Sequence, residues 1–151
     1  MEIKSVSQVN QTATFKFIVS SVPFTSLWQF DAQADSWAAY PEEKALLLRQ
    51  FQSVPNVIIL SGDRHEFAAI EFNGPESWSH TVLEISCSPF SMFSIPMIRT
   101  LKMASDAHVE RRRLHVTNIE GVETATLQSE LVPEEKVLRY IPDGNHKWSA
   151  D

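Results

Sequence analysis

The residues best suited to chemistry stand in one short run, Ser61-Gly62-Asp63-Arg64-His65, directly after the apolar stretch Val57-Ile58-Ile59-Leu60. Asp63 and His65 are two residues apart, so a carboxylate oxygen and an imidazole nitrogen can converge on one cation. That mixed donor set suits Zn, Fe or Mn and, through the carboxylate, Ca. Arg64, between them, offers a planar fork of donors for a phosphate oxygen, or alternatively for Glu66 or a loop carboxylate. The same residues also fit a turn acid beside a surface imidazole, and the run by itself leaves both readings open.

A second candidate is the connection from Ser21 to Tyr40, which places Asp31 and Asp35 among Phe24, Trp28, Phe30, Trp37 and Tyr40 without helical or strand period. A loop of about twenty residues inside a compact domain is uncommon and usually functional. Acids among aromatics are what a metal-phosphate pocket contains, whereas the aromatics alone read as completing the core.

Both candidates need a scaffold. Phe15 to Ser20 is a run rich in aromatic and β-branched residues and reads as a strand. Pro41-Glu42-Glu43 opens a helix, since proline fits the first helical position and early acids face the positive end of the helix dipole. Leu47, Leu48, Phe51 and Val54 give it an apolar face, and Pro55-Asn56 ends it. Val57 to Leu60 is a continuous apolar run, the mark of a strand buried on both faces. Strand, helix and buried strand make a βαβ unit whose strands run parallel, so both loops leave from one sheet edge, where ligands bind in α/β sheets. Asp35, Asp63 and His65 are therefore expected around a shared cation pocket.

Beyond His65 the pattern is antiparallel. Strands are expected at Phe67–Phe72 and Thr81–Ser86 around Asn73-Gly74-Pro75, a helix at Ile95–Met103, a hairpin of Arg113–Asn118 and Val122–Leu131, and a last strand at Val137–Ile141. Residues 1–13 read as a weakly ordered lead-in. The expected fold class is mixed α/β.

Composition narrows the function. The net charge of −6 disfavours nonspecific nucleic-acid binding, which needs cations against phosphates, and Arg111-Arg112-Arg113 reads as a solvated strand start. One cysteine excludes an internal disulfide, and Cys87, beside an apolar run, is expected to be buried and inert. No signal peptide is visible, and no stretch reaches the roughly 18 apolar residues of a membrane span. The compartment is left undetermined.

Three segments in order carry a family likeness: Val19-Ser20-Ser21-Val22-Pro23-Phe24, then Asp35-Ser36-Trp37 with Tyr40-Pro41, then Asn56 to His65. With Leu83 to Pro89 they resemble the PhoD-like (alkaline phosphatase D type) metallophosphatases, and Ser-Gly-Asp-Arg-His-Glu looks most like fungal members. The resemblance covers residues 14–104 well and the tail more loosely, so 14–151 is expected to be the C-terminal part of such a domain. It implies a four-layer α/β/β/α sandwich with mixed sheets, whose N-terminal half is missing here, and metal-dependent hydrolysis of phosphate esters. It assigns Asp63 and His65 to the metal site, with Asp35 and Trp37 as neighbours of the reaction. Arg64 would stabilise charge on the phosphoryl oxygens. The metal would be a divalent or trivalent ion, Ca, Fe, Mn or Zn.

The departures matter as much. Ala38 stands where many members have a second acid, and no Asp-x-His or Asn motif precedes residue 14. Gly144-Asn145-His146 has the letters of such a motif but sits at the wrong end and reads as a turn. His80, His108 and His115 are scattered and read as structural. A two-metal centre, with ions roughly 3.5–4 Å apart, needs more ligands than this edge offers. Isolated, the chain is expected to be inactive or nearly so, with a non-catalytic interaction module as the alternative and self-association through exposed half-domain surface as a consequence. An unrelated small α/β module, in which Asp63 and His65 merely cap a turn, is the third reading.

Overall fold

Five strands and one helix frame the candidate edge. The computed structural model describes residues 13–29, 33–75, 79–87, 100–119 and 122–141. Strand β1 (Lys16–Ser20) is followed by a short 3-10 turn at Trp37–Ala39 and helix α1 (Pro41–Gln52). Then come β2 (Val57–Ser61), β3 (Phe67–Phe72), β4 (Val82–Ser86), β5 (His108–Ile119), β6 (Val122–Pro133) and β7 (Glu135–Ile141). Helix α1 starts as its sequence requires, with Pro41 in the first turn beside Glu42 and Glu43.

The main sheet is five-stranded in the order β1-β2-β4-β3-β7. Strands β1, β2 and β4 run parallel, with Ile18 opposite Ile59 and Leu60 opposite Ile85. Strand β3 turns back antiparallel to β4 and pairs on its other side with β7 across a bulge at Ala69/Ile70. The βαβ unit expected from periodicity is present. The architecture is mixed α/β, two sheets with one helix among the described residues.

The expected hairpin is longer than its apolar pattern suggested. Strands β5 and β6 pair from His108/Pro133 to Ile119/Val122 as a separate two-stranded sheet. Arg111 ties it to the main sheet, donating from Nη1 to Asn73 Oδ1 at 3.1 Å and from Nη2 to Thr81 Oγ1 at 3.0 Å. Arg111 is thus a half-buried tether and not a solvated cation, because two acceptors in the β3–β4 turn face it; Arg112 is exposed.

Two further expectations change. The helix expected at Ile95–Met103 lies partly outside the described residues, and its last part is extended: Leu101 bridges Trp28, and Lys102 N donates to Leu27 O at 2.9 Å. Pairing with the loop after β1 satisfies that backbone in place of helical bonds. The lead-in through residue 12, Asp31 and Gly144-Asn145-His146 lie outside the described residues.

The two faces of the main sheet differ. Lys16, Val57, Ile59, Ala68, Ile70 and Phe72 point to the core, which α1 closes with Leu48 and Phe51. The opposite face carries Phe17 and Val19 from β1, 59% and 80% exposed, beside Leu60 at 38%. Strand β2 is therefore not buried on both faces as expected. Val57 and Ile59 are buried, whereas Ile58 is half-buried and Leu60 exposed, because only one face carries a packed layer of described residues.

Candidate active site

Parallel pairing fixes the edge. Ser20 lies opposite Ser61, and Ser61 opposite Ser86, so the C-terminal ends of β1, β2 and β4 finish in one row. The loops behind them touch: a Cβ at Gly62 would meet Ser21 O at 3.4 Å, and Cys87 N donates to Ser61 O at 2.9 Å. Cys87 itself is exposed, not buried, because β4 ends one residue earlier and the thiol falls beyond the sheet.

The turn after β2 is not made by its glycine. Asp63 and His65 take left-handed backbone angles, φ 81° and 56°. Such angles are uncommon for residues with a Cβ, and Asp and His are among those that adopt them most readily. The alternation turns Asp63 outward, where it is exposed, and leaves Arg64 and His65 half-buried.

Trp37 reaches the same edge from the first loop. Its Nε1 donates to Ser20 Oγ at 3.2 Å, and its backbone N–H to Pro23 O at 3.2 Å. Its ring packs against Phe24 with centroids 5.7 Å apart. Beside it Val22, Ser36, Trp37, Tyr40 and Glu43 line an open hollow of about 140 Å³. Asp35, the residue before the Ser36 that caps the 3-10 turn, is exposed.

Arg64 turns inward. Its guanidinium carbon lies 5.1 Å from the centroid of the Trp28 ring, a cation–π arrangement. Trp28 is fully buried and meets Tyr140 edge-on at 6.3 Å. The neighbouring Glu66 accepts from Thr100 Oγ1 at 2.6 Å and from Tyr140 Oη at 3.1 Å.

Beneath this edge lies a set of buried charges that the motif search missed. Glu84 Oε1 accepts from Phe24 N at 2.8 Å and Ser61 Oγ at 2.6 Å, while Oε2 accepts from Thr25 N at 2.8 Å. Glu135 Oε2 accepts from Thr25 Oγ1 at 2.5 Å and Ser26 N at 2.9 Å, and Oε1 pairs with Lys44. Lys44 also donates to Ser26 Oγ at 2.6 Å and lies 5.7 Å from the ring centroids of Phe24 and Phe72. Two carboxylates and a lysine thus hold the start of the long loop. Burial pushes the Glu84 carboxyl above the usual carboxylate range, against the opposing pull of its three hydrogen bonds. A signal existed: Glu84 interrupts Val82-Leu83-Glu84-Ile85 at a core-facing position, and Lys44 stands one turn before Leu48 on the helix's apolar side.

The structure therefore brings the two loops to one edge, as parallel topology requires. It does not draw Asp35, Asp63 and His65 into one cation pocket: no three of the described His, Cys, Asp and Glu residues form a group that could hold a metal ion. Asp63 and His65 alone offer fewer protein donors than the three usual at a catalytic zinc. No helix among the described residues is long and apolar enough to cross a membrane.

Comparison with known proteins bears on this edge. No curated protein and no solved structure matches the chain. A family match extends over residues 6–132, taking in the βαβ unit, β3, β4 and nearly all of the β5–β6 hairpin, but not β7. By that match the chain belongs to the PhoD-like phosphatase family.

Proposed function

We propose that this chain forms one side of a metal-dependent phosphoesterase centre, with Asp63 and His65 as metal-site residues, Arg64 facing the phosphate, and Asp35 and Trp37 flanking the substrate. The observation that carries this reading is the left-handed backbone at both Asp63 and His65, at the C-terminal edge of three parallel strands. Left-handed angles at non-glycine residues cost of order 1–3 kcal/mol each and cluster at active sites and ligand clamps. Asn56, in the plain turn before β2, takes one such angle at φ 59°, whereas the turn after β2 carries two within three residues. Gly62, the residue free to take such an angle, does not take it.

The donor set of the described residues is incomplete, so no reaction step is assigned to a metal here. We propose that the remaining ligands come with the layer that covers the open face of the main sheet, as in the four-layer sandwich implied by the family, with this chain as its C-terminal part. Phe17, Val19 and Leu60 support that arrangement, because an apolar parallel-strand face is normally covered.

The test has two arms. Calorimetry with Ca, Mn, Fe and Zn is expected to show weak binding of at least one ion, lost in Asp63→Asn and His65→Ala. Turnover of bis-p-nitrophenyl phosphate by the isolated chain is expected to be near background. No binding by any ion removes the metal assignment, and robust chelator-sensitive turnover shows the centre to be complete within this chain.

A second reading is favoured by the same exposed face. A chain that keeps the family scaffold without a complete site acts as a non-catalytic interaction module, and an open apolar face supports pairing with a second copy. Size-exclusion chromatography across concentration separates the readings: a constant monomer argues against the module.

A further inference from the structure

Three residues that line the open hollow beside the site, Trp37, Tyr40 and Glu43, are spaced three apart, with Val22 and Ser36 completing the wall. In a 3-10 turn, residues three apart lie on one side, and the same neighbours meet within the first turn of an α-helix. The turn at Trp37–Ala39 runs directly into α1, so this stretch delivers an indole, a phenol ring and a carboxylate to one place. Tyr40 N donates to Trp37 O at 3.1 Å and Lys44 N to Tyr40 O at 2.9 Å, which fixes the join.

The fold alone does not account for Tyr40. It precedes the first residue of α1, a position that favours Ser, Thr, Asp or Asn because their side chains bond the free N–H groups of the first turn. Tyr40 makes no such bond and is 63% exposed, so it serves neither as cap nor as core. Trp37 is held in place by its bond to Ser20 Oγ and its contact with Phe24. Ser36 is spent within the turn, its hydroxyl accepting from Ala38 N at 3.3 Å. Glu43 has an ordinary role as a first-turn acid facing the positive end of the helix dipole. That role explains the carboxylate but not the aromatic pair beside it.

Charge then selects the ligand. From residue 17 to residue 43 the sequence holds four acids, Asp31, Asp35, Glu42 and Glu43, and no Lys or Arg. Lys44, the next cation along the chain, is turned to Glu135. An anion is disfavoured in such surroundings, and a neutral apolar group gains nothing from the carboxylate. A soft organic cation meets both the rings and the acid. The hollow, at about 140 Å³, is well below the roughly 300–1,000 Å³ of pockets that enclose a whole ligand, so it suits one group of a larger molecule.

We infer that Trp37, Tyr40 and Glu43 form a subsite for a methylated ammonium group. Aromatic rings attract such a cation through the negative charge of their faces, and the carboxylate adds its own charge. The subsite goes beyond the phosphoesterase reading and stands without it, sharing only Trp37 with that reading.

The experiment is titration of the full chain with tetramethylammonium chloride, followed by tryptophan fluorescence and by ligand-observed NMR. Sodium chloride at matched ionic strength and tert-butyl alcohol, a neutral group of similar shape, are the controls. A Kd of about 1–10 mM is expected for a small cation held by two rings and an acid. Tyr40→Leu should weaken binding about 2- to 30-fold, the span of one cation–π contact, whereas Tyr40→Phe keeps the ring and the affinity. Glu43→Gln keeps the shape, removes the charge and should weaken binding about 2- to 5-fold. Both positions are exposed, so the variants are expected to fold, which circular dichroism checks. Should Tyr40→Leu fail to fold, Glu43→Gln and the neutral ligand carry the test. The subsite is overturned by an absence of saturable binding, by tert-butyl alcohol binding as tightly as the cation, or by an unchanged affinity in Tyr40→Leu. An equal loss in Tyr40→Phe overturns the cation–π basis. Ammonium binding by a chain that binds no metal supports the subsite while the metal assignment falls, and metal binding without ammonium binding does the reverse.

Discussion

Replacing Lys44 by Met would remove the one cation from the buried cluster beneath the site while keeping an unbranched chain on the same helical face. Lys44 and Glu135 each expose only 8% of their side chains. In the variant, Glu135 keeps Thr25 Oγ1 and Ser26 N as donors but loses its counter-ion, and Ser26 Oγ loses its donor. Breaking a buried pair by deleting one partner costs about 3–5 kcal/mol, because the other charge is left in low dielectric. For a chain of this size each kcal/mol shifts the midpoint by about 2–4 °C, so Tm should fall by about 6–20 °C. The double variant Lys44→Met with Glu135→Gln removes the stranded charge and keeps one oxygen for Thr25 and Ser26, so it should recover about 2 kcal/mol or more. Urea titration followed by tryptophan fluorescence, with calorimetric Tm, measures all three proteins. A single variant that loses less than about 1 kcal/mol, or a double variant no more stable than the single, would show that the cluster is solvated and that the clamp argument is wrong.

Three other predictions follow from the same geometry. Burial raises the Glu84 pKa above its ordinary value of 4.5, so its contribution to stability is full below that pH and is lost as pH rises through the folded-state pKa. Urea titrations at several pH values should therefore show the unaltered chain losing ground to Glu84→Gln as pH rises; a pH-independent gap refutes this. Asp63→Gly relieves a left-handed residue that is exposed, so the variant should be as stable as the unaltered chain or about 1 kcal/mol more so, while metal retention in calorimetry falls. Val19→Lys places a charge on the open sheet face and should change stability by less than about 0.5 kcal/mol while lowering self-association in size-exclusion runs; a large loss of stability would mean that the face is already packed.

The elements nearest the site were legible because their signals are local. The β-branched run at Lys16–Ser20, the proline-led helix and the apolar run at Val57–Ser61 gave the βαβ unit and the shared edge. The burial state of β2 was not legible, because a run such as Val57-Ile58-Ile59-Leu60 states that both faces are apolar and not what covers them. Cys87 shows the same limit at a strand end, where a shift of one residue moves a thiol from sheet to solvent. The site was read from residues with reactive letters, which favoured Asp63 and His65. Glu84, Glu135 and Lys44 were missed because their partners are backbone N–H groups and hydroxyls from positions 24 to 26 and 61, contacts that exist only once the sheet has formed.

The distribution of polarity across the main sheet gives the strongest reason to expect a covering layer. A sheet with one wet face places hydrocarbon inside and charge outside. Here Lys16, Lys44, Glu84 and Glu135 are buried on the helix side, while Phe17, Val19 and Leu60 face outward, flanked by half-buried Ile58, Leu83 and Ile85. Strand β1 adds to this as an edge strand, since its outward backbone groups and exposed apolar side chains form a template for association. A chain that dissolved alone would gain from polar residues at 17, 19 and 60, and nothing in the pairing of β1 with β2 forbids them. The apolar choice at all three fits the covering layer proposed above. The same face lies beside the row of strand ends that carries Asp63 and His65, so in the arrangement proposed above a covering layer and further metal donors would meet at one edge.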